Sequence, residues 1–243
     1  MTETRTYHRQ TFHLLGAEPE RTRAAESSVE DVETRLGLKL PESVRDWYCR
    51  DDAIEILAKH SNNDPPIPIE EFSITERHSL RLIPFRNENQ GVCTWAIALD
   101  GSQDPPVYVD VDSGGKNWQL LTSAFSEYVF SCVWDYRMIF FQPALVQAQN
   151  QPLTRSTVEA LKHGFRQQVE TRGWPGSTQF RFQSDRGAIL IWASDDQADW
   201  FIASPDADTL EATLRSVWKF DLIGDWLYDI SQIGKTVLDR IKK

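Results

Sequence analysis

Hydrophobic positions change their period several times along the chain, and each change predicts a different kind of element. After a polar opening over residues 1–26, which includes Arg5 and is expected to be weakly ordered, Val29, Val32 and Leu36 recur at helical spacing. Ser27 and Glu30 form a capping-box signature before them, and Gly37 is a natural stop. Pro41, whose fixed φ suits a first helical position, opens a second helix with Val44, Trp47 and Tyr48 on one face. Residues 53–58 form a short apolar run, and the Asn-Asn-Asp-Pro-Pro stretch at 62–66 is a loop. The period then falls to two. Segments 80–85, 92–99 and 107–111 are rich in β-branched and aromatic residues, are bounded by polar turns at 87–91 and 100–106, and read as antiparallel strands. Alternation sets Trp95 on one face with Cys93, Ile97 and Leu99, a core position. Leu121, Phe125, Tyr128, Val129 and Cys132 return to helical spacing.

Residues 143–152 are polar, Gln-rich and bracketed by prolines, and read as a linker. Beyond it Val158, Leu161, Phe165 and Val169 define a helix. Strands follow at 178–183, 187–193 and 198–204, the first two joined by the turn at Asp185, Arg186 and Gly187. Ser204 and Pro205 open another helix, as cap and first residue. A last apolar stripe runs through Ile223, Trp226, Leu227, Ile230, Ile233, Val237 and Ile241. The class is therefore α+β: an antiparallel sheet flanked by helices, with a C-terminal αβββαα extension. The expected division is a polar segment at 1–26, a first domain at 27–142, a linker at 143–152 and an α+β subdomain at 153–243.

Composition narrows the function classes. Of 243 residues, 40% are hydrophobic and 26% charged, which excludes disorder as the general state. The net charge of -10 repels phosphate backbones and favours a basic protein partner over a nucleic acid. The basic cluster Lys235, Arg240, Lys242 and Lys243 fits a helix C-terminus, where cations complement the dipole. Cys49, Cys93 and Cys132 are odd in number and far apart, as expected of reduced thiols in the cytoplasm. No leader peptide or membrane-length apolar run is readable, so a cytoplasmic protein without a membrane partner is expected.

Candidate chemistry is sparse. His8 and His13 are poorly spaced for one helical face, His60, His78 and His163 are scattered, and neither a metal nor a cofactor is expected. Asp110, Asp112, Gly114 and Gly115 imitate part of a calcium loop, but Leu121 stands where a bidentate Glu is required, so the stretch reads as a turn. Nucleophile elbows, P-loops and dinucleotide fingerprints do not occur. The carboxylate pairs Asp51-Asp52, Glu70-Glu71 and Asp195-Asp196 are sequence neighbours, which point apart and make poor acid/base partners. Enzyme activity is not expected. Trp118, beside Lys116, suits either a lid over the sheet or a contact site, and Trp174, before Pro175, is a loop aromatic.

Three segments, in order, resemble the SUKH superfamily of the Smi/Knr type over roughly the first 140 residues. The first is Glu33-Thr-Arg-Leu-Gly-Leu-Lys-Leu-Pro-Glu-Ser-Val-Arg-Asp-Trp-Tyr48, similar to the family's opening helix, its LG…LP step and its following aromatic. The second is Leu82-Ile-Pro-Phe85 with the strand after Gly91; the third runs from Asp104-Pro-Pro-Val-Tyr-Val109 to Trp118, Leu120, Phe125 and Tyr128. One departure is Cys49-Arg-Asp-Asp-Ala-Ile-Glu-Ile-Leu57, where the family often has an Asn-Gly-Gly loop. The family includes fungal cell-wall assembly regulators and bacterial immunity proteins. The resemblance implies a non-catalytic protein-binding module that neutralises a polymorphic toxin, often a nuclease; the alternative is an intracellular regulator or scaffold. It supplies no catalytic residues and no interface. The polar loop residues Asp51, Asp52, Asn87, Glu88, Asn89, Asp100 and Asp104, with Trp118, are the partner-binding candidates.

Overall fold

The structure, a computed structural model, describes all residues except 1–6, 78, 113, 116, 175, 186, 221–226, 230 and 243, and the backbone only at 227–229. Arg5, His78, Lys116, Pro175, Arg186, Ile223, Trp226, Ile230 and Lys243 of the sequence reading thus lie outside the described residues. The fold is α+β, and the chain divides into two compact units, Met1–Val133 and Trp134–Lys243.

In the first unit, four helices precede a five-stranded sheet: α1 (Arg9–Leu15), α2 (Arg23–Leu36), α3 (Glu42–Tyr48) and α4 (Ala53–Lys59). The antiparallel meander is β1 (Thr75–Arg77), β2 (Leu80–Asn87), β3 (Thr94–Ala98), β4 (Val107–Asp110) and β5 (Trp118–Thr122), followed by α5 (Phe125–Asp135), whose last two residues belong to the second unit. The inner face of the sheet sets Ile83, Phe85, Trp95, Ile97, Val107 and Val109 against Val44, Trp47, Tyr48, Phe72, Phe125 and Val129. Trp95 is in the core, as its alternation requires. The outer face has its own small cluster. Leu82, Ala96 and Ala98 are buried there under Leu80, Tyr108 and Trp118, while Arg77 comes against Gly115 in the β4–β5 turn.

Several expectations fail for local reasons. The described part of the polar opening, residues 7–26, is packed onto the fold: α1 buries Phe12, and His8 lies under Trp47 and Phe125. Thr22, not Ser27, caps α2; its hydroxyl accepts from the Ala25 amide at 3.2 Å, and Ser27 falls inside the helix. Gly37 ends α2 at φ 67°, as expected. Leu121, expected on a helix, belongs to β5; its spacing from Phe125 mimics a helical turn.

Among its described residues, the second unit is a seven-stranded antiparallel sheet with three α-helices. It contains β6 (Ala144–Asn150), α6 (Arg155–Lys162), β7 (Arg166–Gln167), β8 (Thr171–Arg172), β9 (Thr178–Gln183), β10 (Ala188–Ala193), β11 (Ala198–Ser204), α7 (Ala207–Val217), β12 (Leu227–Asp229) and α8 (Gln232–Ile241). The order is β12-β6-β11-β10-β9-β7, with β8 also on β9. The strands expected at 178–204 are present within one residue. The linker at 143–152 is instead β6, hydrogen-bonded to β11 on one side and β12 on the other. Ala144, Val146 and Ala148 alternate into the core, and Gln147 and Gln149 occupy the other face, so the glutamines disguised a strand of period two. Helix α6 stops at Lys162, and Phe165 and Val169 lie beyond it. Asp206 caps α7 by accepting from the Thr209 amide at 2.8 Å, so Ser204 ends β11 rather than opening the helix. The final stripe is broken into β12 and α8, the latter capped by Ser231. No described helix is long and apolar enough to cross a membrane.

Candidate partner-binding surface

The eight candidates occupy three separate places. Asp51 and Asp52 lie on the turn between α3 and α4, Asp52 in the left-handed region at φ 58°. Register places Asn87, Thr94, Asp110 and Trp118 in one row across β2 to β5, at the end of the sheet that also carries the Asn87–Asn89 hairpin. Asp100 and Asp104 are at the opposite end, in the β3–β4 connection.

Their hydrogen bonds separate structural from available groups. Asp104 holds the start of α5, accepting from the Ser126 amide at 3.0 Å and its hydroxyl at 2.6 Å. Glu88 is buried and accepts from the amides of Gln90 at 2.6 Å and Val92 at 3.3 Å, which shapes the hairpin. The Asn87 side chain accepts from the Thr94 hydroxyl at 3.0 Å. Asn89 is exposed, but its amide and side chain are tied to Asp64 and Asn62. Asp100 is exposed and closes an Asx turn on Ser102, at 2.9 Å to the amide. Trp118 is half-buried over the outer-face cluster, which makes it a lid. In the neighbouring turn, Asp110 accepts from the amides of Asp112, Gly115 and Asn117, so this stretch is a turn built on one buried carboxylate.

Asp51 and Asp52 remain, exposed and without an ion-pair partner among the described residues. A buried arginine beneath them orders their surroundings. Arg50 donates to the Asp46 carboxylate at 2.8 Å, the Asp46 carbonyl at 2.8 Å, Glu18 at 2.8 Å and the Pro19 carbonyl at 2.9 Å, and stacks over Phe12 at 4.5 Å. The Asp51 amide donates to the Glu20 carbonyl at 2.8 Å, which holds segment 18–20 beside the turn. Glu20, Asp51, Asp52 and the Arg50-paired Glu18 thus form an acidic corner, with Arg21 bridged to Arg50 beside it. Glu18 and Glu20 were missed because they lie in the stretch expected to be weakly ordered, and no motif marks them.

Other buried ionisable groups serve the fold. Arg86, over the Trp95 ring, donates to the Tyr128 hydroxyl at 2.7 Å, to Asp64 at 3.3 Å and to Cys132 at 3.4 Å. Burial pushes the Asp64 carboxyl above its ordinary range although Arg86 and the Asn89 amide oppose it. Burial also pushes the Cys93 thiol up to about 12. Glu33 goes the other way: burial opposes ionisation, but Arg45, Lys39 and the Leu40 amide outweigh it and hold the carboxyl low. Among the described residues no three potential ligands gather around a metal position. In the second unit, an open depression of about 340 Å³ is lined by Leu153, Val158, Phe180 and Asp195, and one of about 260 Å³ by Phe165, Ser184, Asp185 and Thr213. Comparison with family models, with curated proteins and with solved structures returns no match.

Proposed function

We propose that the chain is a non-catalytic protein-binding module, of the immunity-protein kind, that receives a basic partner such as a toxin domain on its acidic corner. The observation that carries this reading is the Arg50 anchor, which pairs with Glu18 and fixes segment 18–20 against the turn that exposes the Asp51 and Asp52 carboxylates. A preorganised acidic surface speeds encounter with a cationic partner and spends little entropy on ordering when the complex forms. The net charge of -10 adds long-range attraction of the same sign.

The test is co-purification and titration with basic toxin domains encoded beside the gene, using the full chain. A stoichiometric complex that weakens with salt is expected, and Asp51→Lys with Asp52→Lys should weaken it at least about tenfold. Failure of every such domain to bind, or binding indifferent to both salt and charge reversal, overturns the proposal.

A further inference from the structure

In segment 7–19, His8, Thr11 and Phe12 are buried and the other residues reach solvent. Two rings therefore seat it. Helix α1 stacks Phe12 on Trp47 at 6.2 Å between centroids, and His8 lies 5.0 Å from the Trp47 ring and 5.9 Å from that of Phe125. Polar ties complete the attachment. The Tyr7 amide donates to Asp46 at 3.2 Å and its hydroxyl to Glu42 at 2.8 Å, while Arg50 donates to Glu18 and to the Pro19 carbonyl. Firmer main-chain bonds begin just past the segment, where the Glu20 carbonyl accepts from the Asp51 amide and the Thr22 amide donates to the Cys49 carbonyl. The rest of the core, from Val29 to Val129, closes on the sheet through other helices.

His8 is held in one protonation state. The Ser43 carbonyl can only accept, so the neutral ring carries its proton on Nε2, which donates to it at 2.9 Å. Nδ1 is buried and has no partner among the described residues. A second proton there is a charged N–H without an acceptor, boxed in by Phe12, Trp47 and Phe125. The nearby carboxylates are committed elsewhere. Asp46 on α3 accepts from Arg50, Arg21 and the Tyr7 amide, and Asp104 in the β3–β4 connection accepts from Ser126. Arg50 adds a like charge, and α5 faces the ring with the uncharged Phe125. Burial accordingly holds the ring below its ordinary 6.5. We propose that segment 7–19 is a strap that leaves the first unit when His8 takes up this second proton, while the five-stranded sheet stays folded. Lifting the strap hydrates both nitrogens and gives up little buried apolar surface besides Phe12 and Leu15, so it is a smaller opening than unfolding the unit. Glu18 leaves with it, and the acidic corner loses one carboxylate in mild acid.

Amide hydrogen exchange of the full chain, corrected at each pH for the intrinsic rate, tests the proposal. It needs no partner, so it stands or fails apart from the docking surface. A helix as short as α1 does not keep its bonds once undocked, so release is read as lost protection at the Phe12 and Gly16 amides, which donate to the His8 and Phe12 carbonyls. Uptake of one proton should lower that protection by about tenfold for each pH unit below 6.5, until His8 is protonated in the seated strap as well. The bonded amides between β3 and β4 should keep theirs over the same range. His8→Phe, which keeps a ring but cannot take the proton, should remove the slope, and His13→Gln, on the exposed side of the same helix, should leave it. In the parent, the His8 ring resonances should titrate together with the loss of protection, which checks the link without a substitution. Protection of α1 that ignores pH, a loss shared by β3 and β4, or a slope that survives His8→Phe would each overturn the assignment.

Discussion

The guanidinium of Arg181 on β9 grips the carboxylate of Asp135 with two hydrogen bonds of 2.7 Å, one from Nε and one from Nη2. Its remaining amino group donates to the Val169 carbonyl at 3.2 Å and the Thr171 hydroxyl at 3.0 Å, so the arginine ties β8 and the loop before it to the end of α5. Burial pushes the Asp135 carboxyl above its ordinary range even with Arg181 opposite. The pair therefore organises the second unit more than it stabilises it. Asp135→Ala, which strands a buried cation, should cost about 3–5 kcal/mol in urea unfolding. The double replacement Asp135→Leu with Arg181→Met should recover most of that loss. A carboxyl raised in the folded state costs the parent stability as pH rises through its folded value, so the double variant should compare better with the parent at neutral pH than in acid. A double variant no better than Asp135→Ala would show the pair to be worth its burial.

His8 makes the first unit sensitive to mild acid. Its Nε2 lies 2.9 Å from the Ser43 carbonyl, and Trp47, Phe12 and Phe125 surround the ring. Burial lowers its value from the ordinary 6.5; the Ser43 bond, Asp46 and Asp104 oppose the shift, and Arg50 adds to it. The folded protein thus binds this proton less readily than the unfolded chain. Its contribution is complete above 6.5 and is lost as pH falls from there through the folded value. The urea midpoint should therefore drop between pH about 7 and about 5, and His8→Phe should flatten that slope. An unchanged slope in the variant would assign the acid sensitivity elsewhere.

Legibility followed packing. Trp95, Cys93 and Ile97 could be placed because strict alternation leaves only one face for a core. Strands β9 to β11 were readable for the same reason, through runs such as Ala-Ile-Leu-Ile-Trp-Ala. β6 was hidden because polar and apolar residues alternate on a strand covered differently on its two faces, and Gln at alternate positions looks like a linker. At the surface, Asp51 and Asp52 were identifiable as exposed carboxylates. Asp104 and Glu88 were not separable from them, because their partners, Ser126 and the Gln90 and Val92 amides, are chosen by tertiary closure. The Arg50 anchor depends on contacts about thirty residues away and leaves no local pattern.

Gly234 reverses a general rule. Glycine inside a helix is ordinarily improved by alanine, by about 1 kcal/mol. Here a Cβ on Gly234 of α8 would run into the Leu145 carbonyl oxygen and lie 2.9 Å from Val146 Cγ1, both on β6. Both obstacles belong to one core strand, which leaves little room to yield. Gly234→Ala should therefore lower the melting temperature, by the equivalent of about 1–3 kcal/mol expected for overpacking. The exposed Lys235→Ala should leave it nearly unchanged. A melting temperature raised by Gly234→Ala would mean that α8 is not seated on β6.

Thiol reactivity separates the three cysteines. Cys49 and Cys93 are buried, and burial pushes both thiols up, Cys93 to about 12. A thiol so placed offers neither access nor thiolate at neutral pH, and its reaction waits on unfolding. Cys132 is half-buried on α5, with Arg86 Nη1 3.4 Å from its sulfur. In the native protein, an aromatic disulfide reagent should modify Cys132 first, at least about tenfold faster than the other two. Cys132→Ser should abolish the fast phase, and denaturant should release the remaining two thiols together. A fast phase that survives Cys132→Ser would place Cys49 or Cys93 at the surface, and the inner face of the β2–β4 sheet would then be less closed than its side chains require.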